Sequence, residues 1–347
     1  KTMSLMVALD HNVCDTADTV NLNHGVWMFH KSKMTDHNWK KGGYDTLSVA
    51  GILAQSSNVG VSRIIDEYYK NDPMKFIDAV KATGFADKLE LGIPGTATPT
   101  IPTPKSKSWS GVTLPWMSIG YTVQVPPIYT LNFYNAIANG GKMMRPYIVK
   151  EIRRDGHTIL KNSPEVINSS ICKSSTLKKV QGMLEGVIGY GTAKANKSDE
   201  FGIAGKTGTA QIVDPSTGAY YDREYNLSMI ASAPMDDPQV VVYVVMERPH
   251  SAIQYGGTIV GPIIKNILED VLPYMGVSKR SGGIDKSYTW MDTKTYIVDN
   301  YIGKSKKEVK SKYFKFEFVG EGNKVIDQLP KMGEKIEEGS TIVIMLG

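Results

Sequence analysis

Apolar residues open the chain almost without a break: Met3, Leu5, Met6, Val7, Ala8 and Leu9 follow Lys1 and Thr2. A helix that is apolar on all sides is a buried one. The pattern therefore predicts a core helix reaching about Leu9 and Asp10. From His11 to Tyr44 the chain turns to Asp, Asn, Gly and His, which predicts a long irregular excursion with short strands. Helical spacing returns at Val49, Ile52 and Leu53, and again at Val59, Val61, Ile64 and Ile65, so two helices should meet near Ser56-Ser57-Asn58. Another amphipathic helix should follow Asp72-Pro73 and stop at Gly84. Pro94 to Pro104 carries prolines and alternating threonines and predicts an extended loop. Helices are expected after Pro126-Pro127, ending at Gly140-Gly141, and from Ser174 to Gly189.

Strand patterns come next, at Gly202 to Ile212, Leu227 to Ala233 and Val240 to Met246. The last is so apolar that it should be buried on both faces. A helix from about Ile259 to Met275 should then pack through Ile263, Ile267, Leu268, Val271 and Leu272. Helices, a strand cluster and a packing helix together predict an α+β domain over residues 1–277. The stretch 278–293 lacks periodicity and reads as a linker. Residues 294–347 form a second small unit, with strands at Tyr296–Val298, Tyr313–Val319, Val325–Leu329 and Thr341–Leu346 and a short helix at Gly303–Lys312.

Composition narrows the function classes. The 347 residues are 41% hydrophobic and carry a net charge of +5, spread along the chain. Basic residues interleaved with aromatics do not occur as a run, which argues against nucleic acid as a partner. Cys14 and Cys172 make one disulfide at most. No stretch reaches the roughly 18 apolar residues of a transmembrane helix. An apolar helix with no capping residue before it is an unusual start, so the chain is expected to continue upstream, where a membrane anchor would have room.

Three short elements carry chemistry. In Gly205-Lys206-Thr207-Gly208-Thr209-Ala210-Gln211, a lysine lies on a strand between glycines, where a ligand can approach the backbone and meet a cation and a hydroxyl. The plainer reading is an edge strand with a protective lysine. Ser56-Ser57-Asn58 can offer a hydroxyl and an amide to one pocket, or simply cap a helix. Lys1, at the first turn of a buried helix, can be a general base if burial lowers its pKa; otherwise it is a solvated chain end. His11, His24, His30 and His37, with Cys14 nearby, match no zinc spacing, so no metal is expected.

Taken together and in this order, the three elements resemble those of class B penicillin-binding proteins, the monofunctional peptidoglycan transpeptidases. Gln55-Ser56-Ser57-Asn58-Val59-Gly60-Val61-Ser62 is similar to that family's second motif, the Lys206-Thr207-Gly208 segment to its third, and Tyr255-Gly256-Gly257-Thr258 with Gly261-Pro262 to the turn before its last helix. Asp36-His37-Asn38-Trp39 and Pro115 to Tyr121 look most like the division-specific branch. The likeness covers residues 1 to 276. In the tail, Gln328-Leu329-Pro330-Lys331-Met332-Gly333 and Gly339-Ser340-Thr341-Ile342-Val343 resemble a PASTA module.

The resemblance implies an antiparallel sheet packed with helices, as in serine β-lactamase-like transpeptidase domains, plus a small α+β PASTA domain. It implies a nucleophilic serine three residues before Lys1, with Lys1 as its base. It gives Ser56 as proton relay, Asn58 as a holder of the substrate amide and of Lys1, Lys206 and Thr207 as carboxylate binders, and Thr209, after Gly208, as oxyanion donor. It calls for no cofactor. Peptidoglycan stem peptides, β-lactams and divisome membrane proteins are the implied partners. A single-pass anchor in the inner membrane, with the catalytic domain in the periplasm, is the implied setting. A β-lactam sensor or muropeptide-binding scaffold is the non-catalytic alternative. A β-lactamase fits less well, because the 148 residues from Asn58 to Lys206 exceed the compact enzymes' spacing and no deacylating Glu loop lies between them.

Overall fold

The computed structural model describes residues 1–92, 94–251, 253–280 and 295–347. The proposed linker falls almost wholly outside them. Helix α1 (Thr2–Asp10) buries Leu5, Met6, Val7, Ala8 and Leu9. The excursion carries β1 (Thr19–Asn21), β2 (Val26–Phe29) and β3 (Ser32–Thr35), and β4 (Thr46–Ser48) returns to pair with β1. Strands β2 and β3 form a hairpin. Helices α2 (Val49–Ala54) and α3 (Asn58–Tyr69) meet at the expected junction, and α4 (Pro73–Ala82) follows with proline in its first turn.

Helices α5 (Thr113–Ser118) and α6 (Pro127–Ala138) complete the layer against α1: the Ser4 hydroxyl donates to Ser118 O at 2.6 Å, and Thr2 Oγ1 meets the Tyr134 hydroxyl at 2.7 Å. Short strands come next, β5 (Met143–Met144), whose Met143 is buried, and the more exposed β6 (Glu151–Arg154), β7 (His157–Lys161) and β8 (Val166–Asn168). They lead into α7 (Ser174–Gly189), which ends where the sequence pattern ends.

The central sheet is antiparallel, in the order β11 (Val240–Glu247), β10 (Tyr220–Ala233), β9 (Ala204–Val213). Strand β10 starts seven residues before the apolar run that predicted it, because Tyr220 to Asn226 pair with β9 although their side chains are polar or exposed. Strand β11 is not buried on both faces: as an edge strand it is half-exposed, with Val245 43% accessible. Helices α8 (Gly256–Ile259) and α9 (Gly261–Tyr274) close the unit. The inner side of α9 is Ile264, Leu268 and Leu272. Ile263, expected there, faces outward, since the helix turns about Ile264 rather than its neighbour.

The tail has a separate apolar core of Tyr296, Tyr301, Phe314, Val325, Ile342 and Ile344, among others. It is built from β12 (Thr295–Ile297), β13 (Lys315–Val319), β14 (Val325–Leu329), β15 (Lys335–Glu337) and β16 (Thr341–Leu346). Strand β16 pairs in parallel with β13 and antiparallel with β14. The helix expected at Gly303–Lys312 does not form. Val309 is the one apolar residue between Lys304 and Lys312, so no apolar stripe exists to hold a helix down, and the segment folds as turns in which Glu308 accepts from the backbone and hydroxyl of Ser305. Gln328 is buried, accepts from Tyr301 N at 2.7 Å and donates to Asp299 O at 2.9 Å, which gives the tail's motif glutamine a structural task. Lys335 Nζ reaches Asp45 Oδ2 at 2.8 Å, tying the tail to the segment before β4. Cys14 and Cys172 are both free thiols.

Close backbone packing holds α8 against the sheet. A Cβ on Gly256 would lie 2.4 Å from Ser228 O and 2.5 Å from Gly208 O. Neither carbonyl is a flexible group. Gly256→Ala is therefore expected to lower the unfolding free energy by about 1–3 kcal/mol, the range for overpacked sites, read from denaturant unfolding.

Candidate active site

The site forms where three distant segments meet: the start of α1, the α2–α3 junction and the first half of β9. At the junction Ser56 sits in the left-handed region, with φ 55°. A non-glycine residue there costs of order 1 kcal/mol or more and persists only when its surroundings fix it. The surroundings do so here: Ser56 N–H bonds Leu53 O at 3.1 Å and Ser57 N–H bonds Ile52 O at 2.9 Å. The sharp turn aims the Ser56 hydroxyl outward from both helices. Lys1 Nζ donates to Ser56 Oγ at 3.0 Å and to Ser56 O at 2.6 Å. Lys206 Nζ donates to the same Oγ at 2.8 Å and to Thr207 O at 2.9 Å. One hydroxyl thus links two lysines that are 205 positions apart in the chain.

Burial dominates the electrostatics. It pulls Lys1 from 10.5 down to about 8, while the Asp36 carboxylate pulls the other way. It also pushes Lys206, only 6% exposed, well below its ordinary value, and the charge of Lys1 adds to that fall. Both shifts favour neutral amines. A hydroxyl has one proton and two lone pairs. Two ammonium groups would fill both lone pairs and leave the Ser56 proton without an acceptor, whereas one neutral lysine can take it. The Lys1–Ser56–Lys206 chain is therefore built to pass a proton. A largely apolar cavity of about 260 Å³ opens beside Lys1, lined by Ile101, Met117, Val123 and Phe133 among others.

Asn58 is placed differently from expectation. Its amide does not reach Ser56 or Lys1; Nδ2 donates to Thr35 O at 2.9 Å, because Asn58 is the first residue of α3 and its side chain lies along β3. Thr207 Oγ1 pairs with Thr192 Oγ1 at 2.9 Å. Thr209 Oγ1 accepts from Gly256 N–H at 3.3 Å on the exposed side of β9. Gly208 lies opposite Ser228, close enough that a Cβ would meet the Ser228 hydroxyl at 2.4 Å.

Several residues of the site were not singled out for chemistry in the sequence. Asp36, 2% exposed, accepts from Ser57 Oγ at 2.7 Å, from Asn58 N–H at 2.6 Å and from Val59 N–H at 3.0 Å. Thr192 joins the end of α2 to β9, through its N–H to Ala54 O at 2.9 Å and its hydroxyl to Thr207. Asn196 is buried and donates to Gly257 O at 2.8 Å, holding the start of α8. The histidines are dispersed: His11 Nδ1 meets the Tyr69 hydroxyl at 2.9 Å, and His24 Nδ1 meets Gly42 O at 3.2 Å. Among the described residues no three His, Cys, Asp or Glu are grouped to hold a metal.

The penicillin binding protein transpeptidase domain matches residues 1–269, and the PASTA domain matches residues 296–347. The chain belongs to the penicillin-binding protein transpeptidase family. It is 33% identical over 315 residues to stage V sporulation protein D of Bacillus subtilis, covering 89% of this chain and 47% of that protein. It is 28% identical over 236 residues to the probable peptidoglycan D,D-transpeptidase PenA of Neisseria flavescens, covering 68% of this chain and 54% of the relative. The chain thus spans about half the length of these curated relatives. Among solved structures, the transpeptidase domain of Burkholderia pseudomallei penicillin-binding protein 3 superposes with a TM-score of 0.68 at 25% identity, covering 81% of this chain and 79% of that one. In this family member, then, the three motifs of the sequence meet around one hydroxyl.

Burial of Lys206 has a consequence for stability. Its folded pKa lies below 10.5, so between those two values the unfolded chain binds more protons than the folded one and stability rises with pH. Below the folded pKa the full penalty of the buried charge is present. Lys206→Met is expected to be more stable than the parent at pH 7 by about 1–4 kcal/mol, as when buried charges yield to packed apolar groups. The advantage should shrink as pH rises toward 10.5. Urea unfolding at several pH values checks both the sign and the trend.

Proposed function

We propose that the chain is the catalytic part of a peptidoglycan D,D-transpeptidase that cross-links stem peptides through a serine acyl-enzyme and is inhibited by β-lactams. The observation that carries this reading is the Ser56 hydroxyl held between Lys1 and Lys206, inside a fold of the penicillin-binding family. The nucleophile is the serine that the resemblance puts three residues ahead of Lys1. Neutral Lys1 takes its proton as the serine oxygen bonds the carbonyl carbon of the penultimate D-Ala. The N–H of Thr209 and that of the serine stabilise the oxyanion. The proton then passes through Ser56 to the nitrogen of the terminal D-Ala as its C–N bond breaks. Lys206 and Thr207 receive the terminal carboxylate, and Asn58, through Oδ1, holds the substrate amide. An amine of a second stem attacks the ester, returning the serine and forming the cross-link.

Septal cell-wall synthesis is the setting this reading favours, with divisome membrane proteins as partners, on the strength of the division-type text at Asp36–Trp39 and Pro115–Tyr121. It puts the catalytic unit in the periplasm, held at the inner membrane by a single upstream span. It divides the chain into catalytic residues 1–277, linker 278–293 and tail 294–347, the tail taking no part in the chemistry.

The test is covalent labelling. The full-length protein is expected to gain the mass of one penicillin, and Lys206→Ala to acylate about 10–150-fold more slowly, as the loss of one charge-assisted hydrogen bond of roughly 1.5–3 kcal/mol would give. A full-length protein that forms no adduct would contradict the enzyme reading and leave the scaffold.

A further inference from the structure

Asp36 belongs to none of the three motif segments, yet it holds the middle one. Its carboxylate lies at the N-terminus of α3, where the first backbone N–H groups have no partner within the helix. Oδ1 takes two of them, from Asn58 at 2.6 Å and Val59 at 3.0 Å. Oδ2 takes the Ser57 hydroxyl proton at 2.7 Å, and Ser57 Oγ in turn accepts from Gly60 N–H at 2.9 Å. A carboxylate only accepts, so the direction of each bond is fixed, with Ser57 donating to Asp36 while accepting from Gly60. The anion also meets the positive end of the helix dipole.

The position of Asp36 is itself determined. Its N–H bonds Gly25 O at 2.9 Å, and Gly25, at φ +75°, leaves room that a Cβ would fill to within 3.0 Å of the Asp36 Cβ. The residue is 2% exposed. A buried carboxylate is costly unless hydrogen-bonded and paired with opposite charge. Three donors and the nearby lysines meet that requirement.

We propose that Asp36 is a positioning residue of the acyl-transfer site: it fixes the α2–α3 junction so that the Ser56 hydroxyl stands between Lys1 and Lys206, and its buried carboxylate places a negative charge at that junction. The proposal rests on the transpeptidase reading above. Its mechanical part follows from adjacency, since Ser56 precedes the three residues Asp36 grips. Its electrostatic part follows from the sign of the neighbours. The charged groups that face Lys1 are Lys206, repulsive, and Asp36, attractive; Tyr134 on α6 touches Thr2 rather than Lys1. Once Lys1 has accepted the serine proton, Asp36 is the anion that stabilises it.

Asp36→Asn keeps the shape and removes the charge. Acylation of the full-length protein by a fluorescent penicillin is measured from pH 5 to 9. The expected result is a slower maximal rate and an ascending limb displaced toward acid by about one unit or more, the scale set by one nearby opposite charge. Ser57→Ala, which keeps the charge and removes one grip, should lower the rate with the limb unmoved. A folded Asp36→Asn protein with the parent's limb overturns the electrostatic role. A Ser57→Ala protein that acylates at the parent's rate overturns the mechanical one, and carries the test if Asp36→Asn does not fold. Adduct formation by the parent, measured alongside, separates these failures from failure of the transpeptidase reading.

Discussion

Two lysine side chains on one half-buried hydroxyl repel each other in a medium that screens poorly. Much of the larger unit is arranged to make that contact anyway. Helix α1 is apolar on almost every face, so it lies deep in the core and fixes the partly buried Lys1 at its start. Strand β9 is pinned along its length by β10, so Lys206 cannot swing away. The α2–α3 junction pushes Ser56 into an uncommon backbone region to meet both. Each element is ordinary alone; together they hold a destabilising group of charges in place, which is where functional sites store strain.

Compensation comes from around the site rather than within it. Asp36 brings the missing negative charge and closes the α3 terminus in one step. Thr192 and Asn196 join α2, β9 and α8 by hydrogen bonds, so the three segments do not drift apart. The glycines of the last turn let α8 lie directly on the β9–β10 ladder, where any side chain would strike a carbonyl. The lowered lysine pKa values follow from this packing.

Local pattern made much of this legible in the sequence. Helix α7 has its predicted ends because Leu177, Val180, Leu184 and Val187 repeat at helical spacing between a polar start and a glycine. The α2–α3 break and the Lys206 strand were legible for the same reason. What was missed depends on contacts distant in sequence. Asp36 sits in a polar excursion among many Asp and Asn residues, and only the fold brings it to α3. Thr192 looks like any turn residue until Thr207 arrives opposite. The resemblance implied that Asn58 holds Lys1, but as the first residue of α3 its side chain turns to β3 and donates to Thr35 O instead. In the tail, the short helix expected at Gly303–Lys312 has no apolar face to dock, since Val309 is its one apolar residue.

The shared hydroxyl and the depressed lysines are the centre of this account, and they can be observed without any substrate. Lysine side chains labelled with ¹³C at Cε report their own titration by NMR, with Lys1 and Lys206 assigned by substitution. The account predicts that Lys1 titrates near 8, that Lys206 titrates far below 10.5, and that titrating either shifts the resonance of the other. Two lysines that titrate independently near 10.5 would mean that water reaches both, and that Ser56 does not join them.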